Sequence, residues 1–301
     1  TFVWRFGLTA FDVAHFLIMA LATGLAITVG YHRLFAHRSF EASWGVRVIT
    51  ALFGAATFEN SVLTWASEHR YHHRHVDQDG FPYDPYNVKR GFWHAHMGWL
   101  LRESEPPLPR TNVRDLQRDP FLVWQDRYIV PLMIGMGLGL PTLTGLVAAA
   151  LTGGSLGRGA LAGLLFGGVL RIVCVQHATF FINSLAHTLG SRPYDSLASS
   201  RDSGIVALFT FGEGYHNFHH TFQADYRNGV RFWHFDPGKW VIWLLSRMGF
   251  AWNLKRVPAE TIKLARLREK RRRLEREHSV RLEELRHQAA AWLLSLETSL
   301  E

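Results

Sequence analysis

Long apolar runs alternate with polar, histidine-containing segments along this chain. At a rise of about 1.5 Å per helical residue, the longer runs are able to cross roughly 30 Å of hydrocarbon. We interpret three of them as membrane crossings, at residues 14–30, 128–153 and 157–182. This pattern predicts an all-α integral membrane protein built on a bundle of transmembrane helices.

Polar residues refine this picture in the last two crossings. A glycine-rich turn at residues 153–155 joins them, which indicates a hairpin of helices. The second helix of the hairpin contains Arg171, Gln176 and His177. Because such side chains are costly in lipid, we expect them to face protein or a polar cavity.

Histidine is concentrated in short motifs, and these carry the strongest chemical signal in the chain. Two motifs have the form HxxHH and begin at His69 and His216. In a helix this spacing directs at least two rings towards one point. His32 and His37 are five residues apart, which fits a helix end better than the middle of a helix.

The number of clustered histidines predicts a metal site. Asn183 and His187 add a further element, four residues apart on one helix face. Imidazole nitrogen binds iron, copper and zinc, and a single zinc ion takes only about four ligands, so nine histidines imply two metal ions. One cluster alone is often surface or core chemistry, but four with compatible spacing argue for ligands. The candidate metal-binding histidines are His32, His37, His69, His72, His73, His187, His216, His219 and His220.

Ligands of one metal cluster must lie on the same side of a membrane, and this constrains the topology. A single crossing within the fairly apolar segment 44–66 would separate His37 from His69. We therefore expect a re-entrant or interfacial helix pair in that segment. Residues 67–127 and 186–260 are then expected to form a helical cap over the metals.

Composition narrows the classes of partner. The net charge of +8 lies mostly in loops and the tail, which fits the positive-inside rule better than nucleic-acid binding.

Residues 261–301 are predicted to form a charged helix, either simply solvated, in a coiled coil or on anionic lipid. Cys174 is the only cysteine, so cysteine-ligated metal is excluded within this chain. Four tryptophans suit either a core or a helix at the headgroup level, namely Trp233, Trp240, Trp243 and Trp252.

An ordered series of motifs resembles the membrane fatty acyl-CoA desaturases of the stearoyl-CoA desaturase type. The series begins with HRLFAHRSF at His32 and HRYHH at His69. It continues through DPYN, RGFW, GWL, NSLAH and RPYD, and it ends with GEGYHNFHH around His216. The resemblance covers roughly His32 to Pro258.

The resemblance implies four transmembrane helices under a cytosolic cap, with the metal site and both long loops on the cytoplasmic side. Thr1–Thr9 looks like the tail of the family's first helix, so most of that helix is expected to be missing from this sequence. The family's metals are two iron ions, cycling between Fe2+ and Fe3+, and the nine histidines above match its ligands. Asn183 matches an asparagine that holds a metal through water.

The resemblance also implies a substrate site, a kinked tunnel for the acyl chain. Its polar wall residues correspond to Glu59, where glutamine is usual, and to Trp65 and Thr179, while Phe180 replaces a tryptophan. Relatives close the tunnel floor with bulky side chains, whereas this chain has small ones. A deeper tunnel is expected from these residues, Ala20 and Gly24.

The motifs determine the carrier of the acyl chain less firmly than they determine the metal ligands. Asn60 and Arg90 match residues of relatives that use CoA, but Ser67 stands where those relatives have a basic residue. An acyl-CoA thioester is the expected substrate, and a chain bound to acyl-carrier protein or to lipid stays open.

The reaction implied by the resemblance is an O2-dependent desaturation that introduces a cis double bond, with no catalytic residue beyond the metal centre. Hydroxylation, acetylene formation and a non-catalytic role in binding metal or lipid are the alternatives. No heme segment like cytochrome b5 is evident in the sequence, so a separate ferredoxin, rubredoxin or cytochrome b5-like donor with its reductase is expected. Second-layer groups expected to orient the imidazoles are Glu68, Glu213 and Asn217.

Overall fold

The computed structural model describes residues 2–81, 83–101 and 108–300, and this part of the chain is mostly helical. Pro82 and residues 102–107, which belong to the predicted cap, lie outside the described residues. The helices are α1 (Phe2–Phe6), α2 (Ala10–Ala36), α3 (Trp44–Ala55), α4 (Val62–His75), α5 (Phe92–His96), α6 (Pro120–Arg127), α7 (Ile129–Leu151), α8 (Leu156–Thr188), α9 (Gly204–Phe209), α10 (His216–Thr221), α11 (Pro237–Arg247) and α12 (Ala259–Leu300). Short 3-10 turns lie at Val88–Arg90, Gly98–Leu101 and Arg110–Val113.

Three helices are long and apolar enough to cross a membrane, as the sequence predicts. They are α2, α7 and α8, with 27, 23 and 33 residues. Both α2 and α8 continue beyond the apolar runs into histidine motifs, because these histidines are buried in the protein and find partners there. At about 1.5 Å per residue, α8 is roughly 50 Å long and exceeds the hydrocarbon thickness.

Close backbone contact holds the hairpin of α7 and α8 together. A Cβ atom added at Gly145 would lie 2.3 Å from the carbonyl oxygen of Gly159, and one at Gly163 would lie 2.2 Å from that of Pro141. Only glycine permits such an approach, which is common between helices in membranes. Gly153 ends the first helix with a positive φ of 69°, and the Ser155 hydroxyl caps the second.

Arg171 ties three helices together from a fully buried position. Its guanidinium donates to the carbonyl oxygens of Ala56 at 2.5 Å, Gly137 at 2.7 Å and Gly167 at 3.0 Å. The end of α3 is thereby bound to α7 and α8. Like Gln176, which donates to the Thr57 carbonyl at 3.2 Å, Arg171 faces protein, as the sequence predicts.

The segment 44–66 forms two helices, α3 and the start of α4, rather than one crossing. Their junction contains Phe58 and Asn60 with positive φ angles of 63° and 74°, so the chain reverses sharply there. The Ser61 hydroxyl then caps α4 by accepting from the Thr64 amide. At 12 residues, α3 is about 18 Å long, too short to cross hydrocarbon. A position of this pair within or on the membrane stays a prediction.

The remaining segments pack around the histidine-bearing ends of α2, α4 and α8. Helix α5 packs on α8, and α6 packs on α4. Strand β1 (Glu41–Ala42) pairs antiparallel with β2 (Ala251–Trp252) and joins the loop after α2 to the loop after α11. The histidine ends are therefore enclosed by protein.

The tryptophans near the end of the chain are not core residues. Their side chains are 60%, 44%, 55% and 43% exposed, in the order Trp233, Trp240, Trp243 and Trp252. The interpretation as core is therefore wrong, and a position at the headgroup level stays a prediction.

The C-terminal charged segment forms one helix, α12, of 42 residues. Its first turns are anchored by the buried side chain of Ile262 and by Arg266, which donates to the Tyr194 hydroxyl at 2.6 Å. Residues 270–295 are exposed. A solvated surface accounts for this part of the helix in the isolated chain, while a coiled-coil or lipid contact stays a prediction.

Replacing Arg171 by methionine is expected to destabilise the fold. The apolar side chain would leave the carbonyls of Ala56 and Gly137 without this donor, at about 1–3 kcal/mol for each carbonyl that stays unpaired. Thermal unfolding in detergent measures the effect. The matched control is Arg281→Met on the exposed part of α12, which is expected to unfold at the wild-type temperature; equal stability of Arg171→Met would contradict the assigned role.

Candidate metal centre

A change of helical winding explains how His32 and His37 come to the same place. Residues Ala26–Ala36 form a π-helix, and the His37 amide donates to the His32 carbonyl at 3.0 Å. In this winding, residues five apart lie above one another, whereas in an α-helix they diverge. The two rings are 4.8 Å apart, centre to centre. π-helical turns of this kind occur often at functional sites.

The nine candidate histidines assemble into two groups. Helices α4 and α10 each contribute to both groups, because the three histidines of an HxxHH motif divide between them. Within each group, the ligand nitrogens lie within 4.8 Å of one another. The first group contains His32, His37, His69, His73 and His219, and the second contains His72, His187, His216 and His220.

The distances between nitrogens suit metal ligands. In the first group, the Nε2 atoms of His37 and His69 are 2.8 Å apart, and that of His219 lies 2.9 Å from His32 and 3.0 Å from His73. Ligands at right angles on a metal with bonds of about 2.1 Å would be separated by about 3.0 Å. The first group therefore fits a bound metal ion.

The second group converges in the same way. His220 Nε2 lies 3.2 Å from that of His72 and 3.0 Å from that of His216. His187 Nε2 is buried and, within the described residues, has no hydrogen-bond partner. A buried nitrogen without a partner is costly unless a metal accepts its lone pair.

Burial keeps these imidazoles uncharged. Together with the neighbouring imidazoles, it holds their pKa values well below the ordinary value, as found for His37, His69, His73, His216, His219 and His220. A neutral imidazole presents a free lone pair, which is the form that binds a metal. Each group of histidines is thus suited to hold a metal ion.

A surrounding layer of acceptors orients the rings through their second nitrogens. The Nδ1 atom of His72 lies 2.8 Å from Asp84 Oδ1, and that of His32 lies 3.1 Å from Glu213 Oε2. His187 Nδ1 lies 2.6 Å from the Ser199 hydroxyl, which donates to Asp77 at 2.7 Å. Such contacts fix the tautomer that leaves Nε2 free for a metal.

Glu213 connects the first group to the buried polar network. Burial would raise its pKa, but His32 and Arg33 outweigh this and lower the pKa of Glu213 to about 2. The carboxylate accepts hydrogen bonds from Arg33, Thr28 and Asn228. It is therefore a fixed negative charge beside His32.

Sequence reasoning identified only part of this second layer. Glu213 is in place, but Asn217 binds backbone groups instead, accepting from the Tyr194 amide at 2.9 Å. Glu68 accepts from Tyr86 rather than from an imidazole, and burial raises its pKa to about 7. Asp84 was missed, because loop geometry rather than helical spacing brings it to His72. Its position in the DPYN motif was the one available signal.

A cavity of about 340 Å³ lies against the histidines. His69 and Asn183 form part of its wall. Five of the eight residues expected to contact the substrate also line it, namely Glu59, Asn60, Trp65, Thr179 and Phe180. The structure thus brings most of the expected substrate residues together beside the metal ligands.

Hydrogen bonds hold the polar part of the cavity wall in place. The Glu59 carboxyl accepts from the Trp65 indole at 3.1 Å and from the Thr179 hydroxyl at 2.9 Å. The Trp65 ring stacks on His69, with centroids 4.8 Å apart. A molecule in this cavity would therefore lie within one side chain of the first histidine group.

The other three expected substrate residues lie elsewhere. Arg90 pairs with Asp79 at 2.5 Å and does not line the cavity. Ala20 is half-buried on α2 and does not line it either. Gly24 lines a second, smaller void, beside Phe211.

His96 and His177 form a separate pair. His96 Nε2 lies 3.0 Å from His177 Nδ1, and His96 Nδ1 lies 3.0 Å from the Ser184 hydroxyl. These contacts join α5 to α8 outside both metal groups.

Comparison with known proteins places this geometry in context. Residues 12–240 match the family model described as fatty acid desaturase. A probable acyl-CoA desaturase of Schizosaccharomyces pombe is 43% identical over 256 residues, which cover 84% of this chain and 51% of the relative. Acyl-CoA desaturase 1 of Saccharomyces cerevisiae is 40% identical over 252 residues, which cover 83% and 47%.

A third relative differs in its named substrate. The hex-5-enoyl-[acyl-carrier protein] acetylenase of Moorena producens is 34% identical over 274 residues, which cover 88% of this chain and 83% of the relative. The chain spans about half the length of the two yeast relatives that it matches.

Substitution of His72 by alanine is expected to remove the metal of the second group. This group has four imidazoles, and three would remain. Metal content per chain, measured by plasma mass spectrometry after purification, checks the result. His75→Ala is the matched control, since His75 lies on the same helix outside both groups; equal metal loss in both variants, or in neither, would contradict the assignment.

Asp84→Asn is expected to weaken metal binding while the ligands stay in place. The amide is a weaker acceptor for His72 Nδ1, and changes of this kind typically reduce metal affinity about 10- to 100-fold. Competition with a chelator of known affinity measures the change. Asp79→Asn, at a carboxyl that contacts no imidazole, is expected to retain wild-type affinity; unchanged affinity of Asp84→Asn would show that the contact does not tune the metal.

Proposed function

This chain belongs to the fatty acid desaturase family, and we propose that it is a membrane enzyme that introduces a cis double bond into a long acyl chain with O2. The observation that carries the proposal is the 340 Å³ cavity, whose wall contains His69 and Asn183. A substrate bound there would lie directly beside His69 of the first histidine group. An acyl-CoA thioester is the proposed substrate, because the two yeast relatives are named acyl-CoA desaturases.

We propose that each histidine group holds one iron ion, with Asn183 reaching a metal through water. Iron in this all-imidazole setting would supply, with O2, the oxidising power that an unactivated methylene C–H bond requires. The chain's own part is to hold the rings. Asp84 and Glu213 orient His72 and His32, and burial keeps His219 neutral.

The cavity residues are proposed to position the acyl chain. Phe180 and the ring of Trp65 supply apolar wall, and the Glu59 carboxyl braces Trp65 against Thr179. A fixed wall restricts which adjacent methylenes lie beside the metals, so the double bond would form at one position. The reaction would remove two hydrogen atoms from the acyl chain. These two hydrogens, together with O2, two electrons and two protons, would form two water molecules.

The proposed orientation places the histidine groups on the cytoplasmic side. Ile129 and Val130, at the start of α7, line the same cavity as His69, so the start of α7 and the histidine ends of α2 and α8 lie together. The opposite end of the bundle, residues 2–9 and 152–158, contains only Arg5 and Arg158 as basic side chains. The positive-inside rule therefore supports a cytoplasmic metal side.

The electrons are proposed to come from a separate ferredoxin, rubredoxin or cytochrome b5-like protein with its reductase. The described side chains hold no cysteine cluster, since Cys174 stands alone. The chain's net charge of +8 favours an acidic donor, because complementary charge accelerates encounter.

A second candidate function is acetylene formation on a chain bound to acyl-carrier protein. It is favoured by the likeness to the Moorena producens relative, which is named for that substrate. It is also favoured by Ser67, which is buried and donates to Asn112 at 2.8 Å, so no basic group for CoA phosphate stands at that position.

The test is expression in a desaturase-deficient host, followed by gas chromatography with mass spectrometry of the fatty acids. We expect a new cis-unsaturated acid that is lost in His219→Ala, because His219 Nε2 lies close to both His32 and His73. His75→Ala is expected to retain the product. An acetylenic product would favour the second candidate function, and a hydroxy acid would overturn both; no product despite bound iron and a supplied donor would contradict an enzymatic role.

A further inference from the structure

The ring of Phe211 occupies the space that Gly24 leaves open inside the helix bundle. A Cβ atom added at Gly24 would lie 2.3 Å from Phe211 Cζ and 2.4 Å from Cε2. Gly24 belongs to α2, whereas Phe211 belongs to the loop between α9 and α10. The small residue that was expected to deepen an acyl tunnel is thus covered by a side chain from a distant part of the chain.

Little free space remains beside this contact. The void between Gly24, Ile27, Val175 and Phe211 has a volume of about 10 Å³. This is about the space that one water molecule needs. An acyl segment cannot enter it while the Phe211 ring keeps its position.

The void shares part of its wall with the larger cavity beside His69. Thr179 and Ile182, on one face of α8, line both the void and the 340 Å³ cavity. The cavity wall includes His69, and the void wall includes Glu213, the carboxylate in contact with His32. The two spaces therefore flank the first histidine group.

We propose that Phe211 is the stop for the methyl end of the acyl chain, and that it sets how many carbons fit beyond the reacting methylenes. This inference rests on the proposed function. A charged carrier would stay at the larger cavity, because the void is too small for it and its wall is mainly apolar. Only the hydrocarbon end of a substrate suits the position of Phe211.

The backbone around Phe211 makes the ring a fixed stop rather than a freely swinging one. Phe211 has a φ of 53°, which is unusual for a bulky residue and persists only where neighbours hold it. The next residue, Gly212, donates to the Ala207 carbonyl at 2.9 Å. Glu213 follows, with its side chain bound to Thr28 and Arg33. The loop is thus anchored directly after the ring.

The test compares product chain length for Phe211→Ala, Phe211→Leu and the wild type, using mixed saturated acyl-CoA thioesters of increasing length. Phe211→Ala is expected to shift products towards longer chains, by up to about fourfold for each methylene that the freed space accepts. Phe211→Leu is expected to give an intermediate shift. In Phe211→Ala combined with Gly24→Leu, the new side chain refills the space, so the wild-type profile is expected to return.

The matched control is Phe209→Ala. Phe209 lies two residues away but is 67% exposed and lines neither space, so its replacement is expected to leave the profile unchanged. Iron content is measured for every variant, because Glu213 is close in sequence. A Phe211→Ala protein with full iron and the wild-type chain-length profile would overturn the proposal.

A binding measurement separates this proposal from the proposed function. Thermal stabilisation by the same thioester series, recorded on the purified protein without an electron donor, does not require turnover. If the wild type makes no unsaturated product, the proposed function fails, while a shift of the best-binding length in Phe211→Ala still supports the stop. An identical length dependence in the two proteins overturns the stop, whatever the activity.

Discussion

The structure depends on the convergence of nine imidazoles in a buried space. Their nitrogens approach within 4.8 Å in each group, a packing that protonated rings would oppose by mutual repulsion. Burial lowers the pKa of rings such as His69 and His219 and keeps them neutral. Acceptors such as Glu213 and Asp84 hold the second nitrogens of their partner rings so that Nε2 faces inward. The elements that end at this point, α2, α4, α8 and α10, are placed by that requirement, and the enclosing segments exclude water from it.

The membrane-facing part of the fold follows a different constraint, the pairing of backbone groups without water. Where α3 ends inside the bundle, its terminal carbonyls have no helical partner, and Arg171 supplies donors to Ala56 as well as to Gly137. This single side chain allows α3 and α4 to reverse direction next to the cavity. The position of Trp65 and Glu59 beside His69 depends on that reversal.

Sequence reasoning captured the features that depend on local periodicity and on the order of motifs. The three apolar helices follow from the length of the apolar runs, and the nine clustered histidines follow from motif spacing. The paired helices at 44–66 follow from the need to keep His37 and His69 on one side of the membrane. The π-helical winding at His32 and His37 was not foreseen, because residues 26–36 contain no proline that would signal a change of winding. Asp84 and Phe211 escaped for another reason: both reach their contacts from loops, whose paths are set by tertiary packing rather than by period.

One short loop serves two purposes at once. Phe211 turns its ring towards Gly24, and Glu213, two residues later, turns its carboxylate towards His32. A substitution that redirects this loop therefore alters the fit of a bound hydrocarbon and the charge beside a metal ligand together. Under the proposed function, descendants of this protein face a pleiotropic trade-off at these positions, so evolutionary drift in substrate size is bound to the integrity of the histidine site.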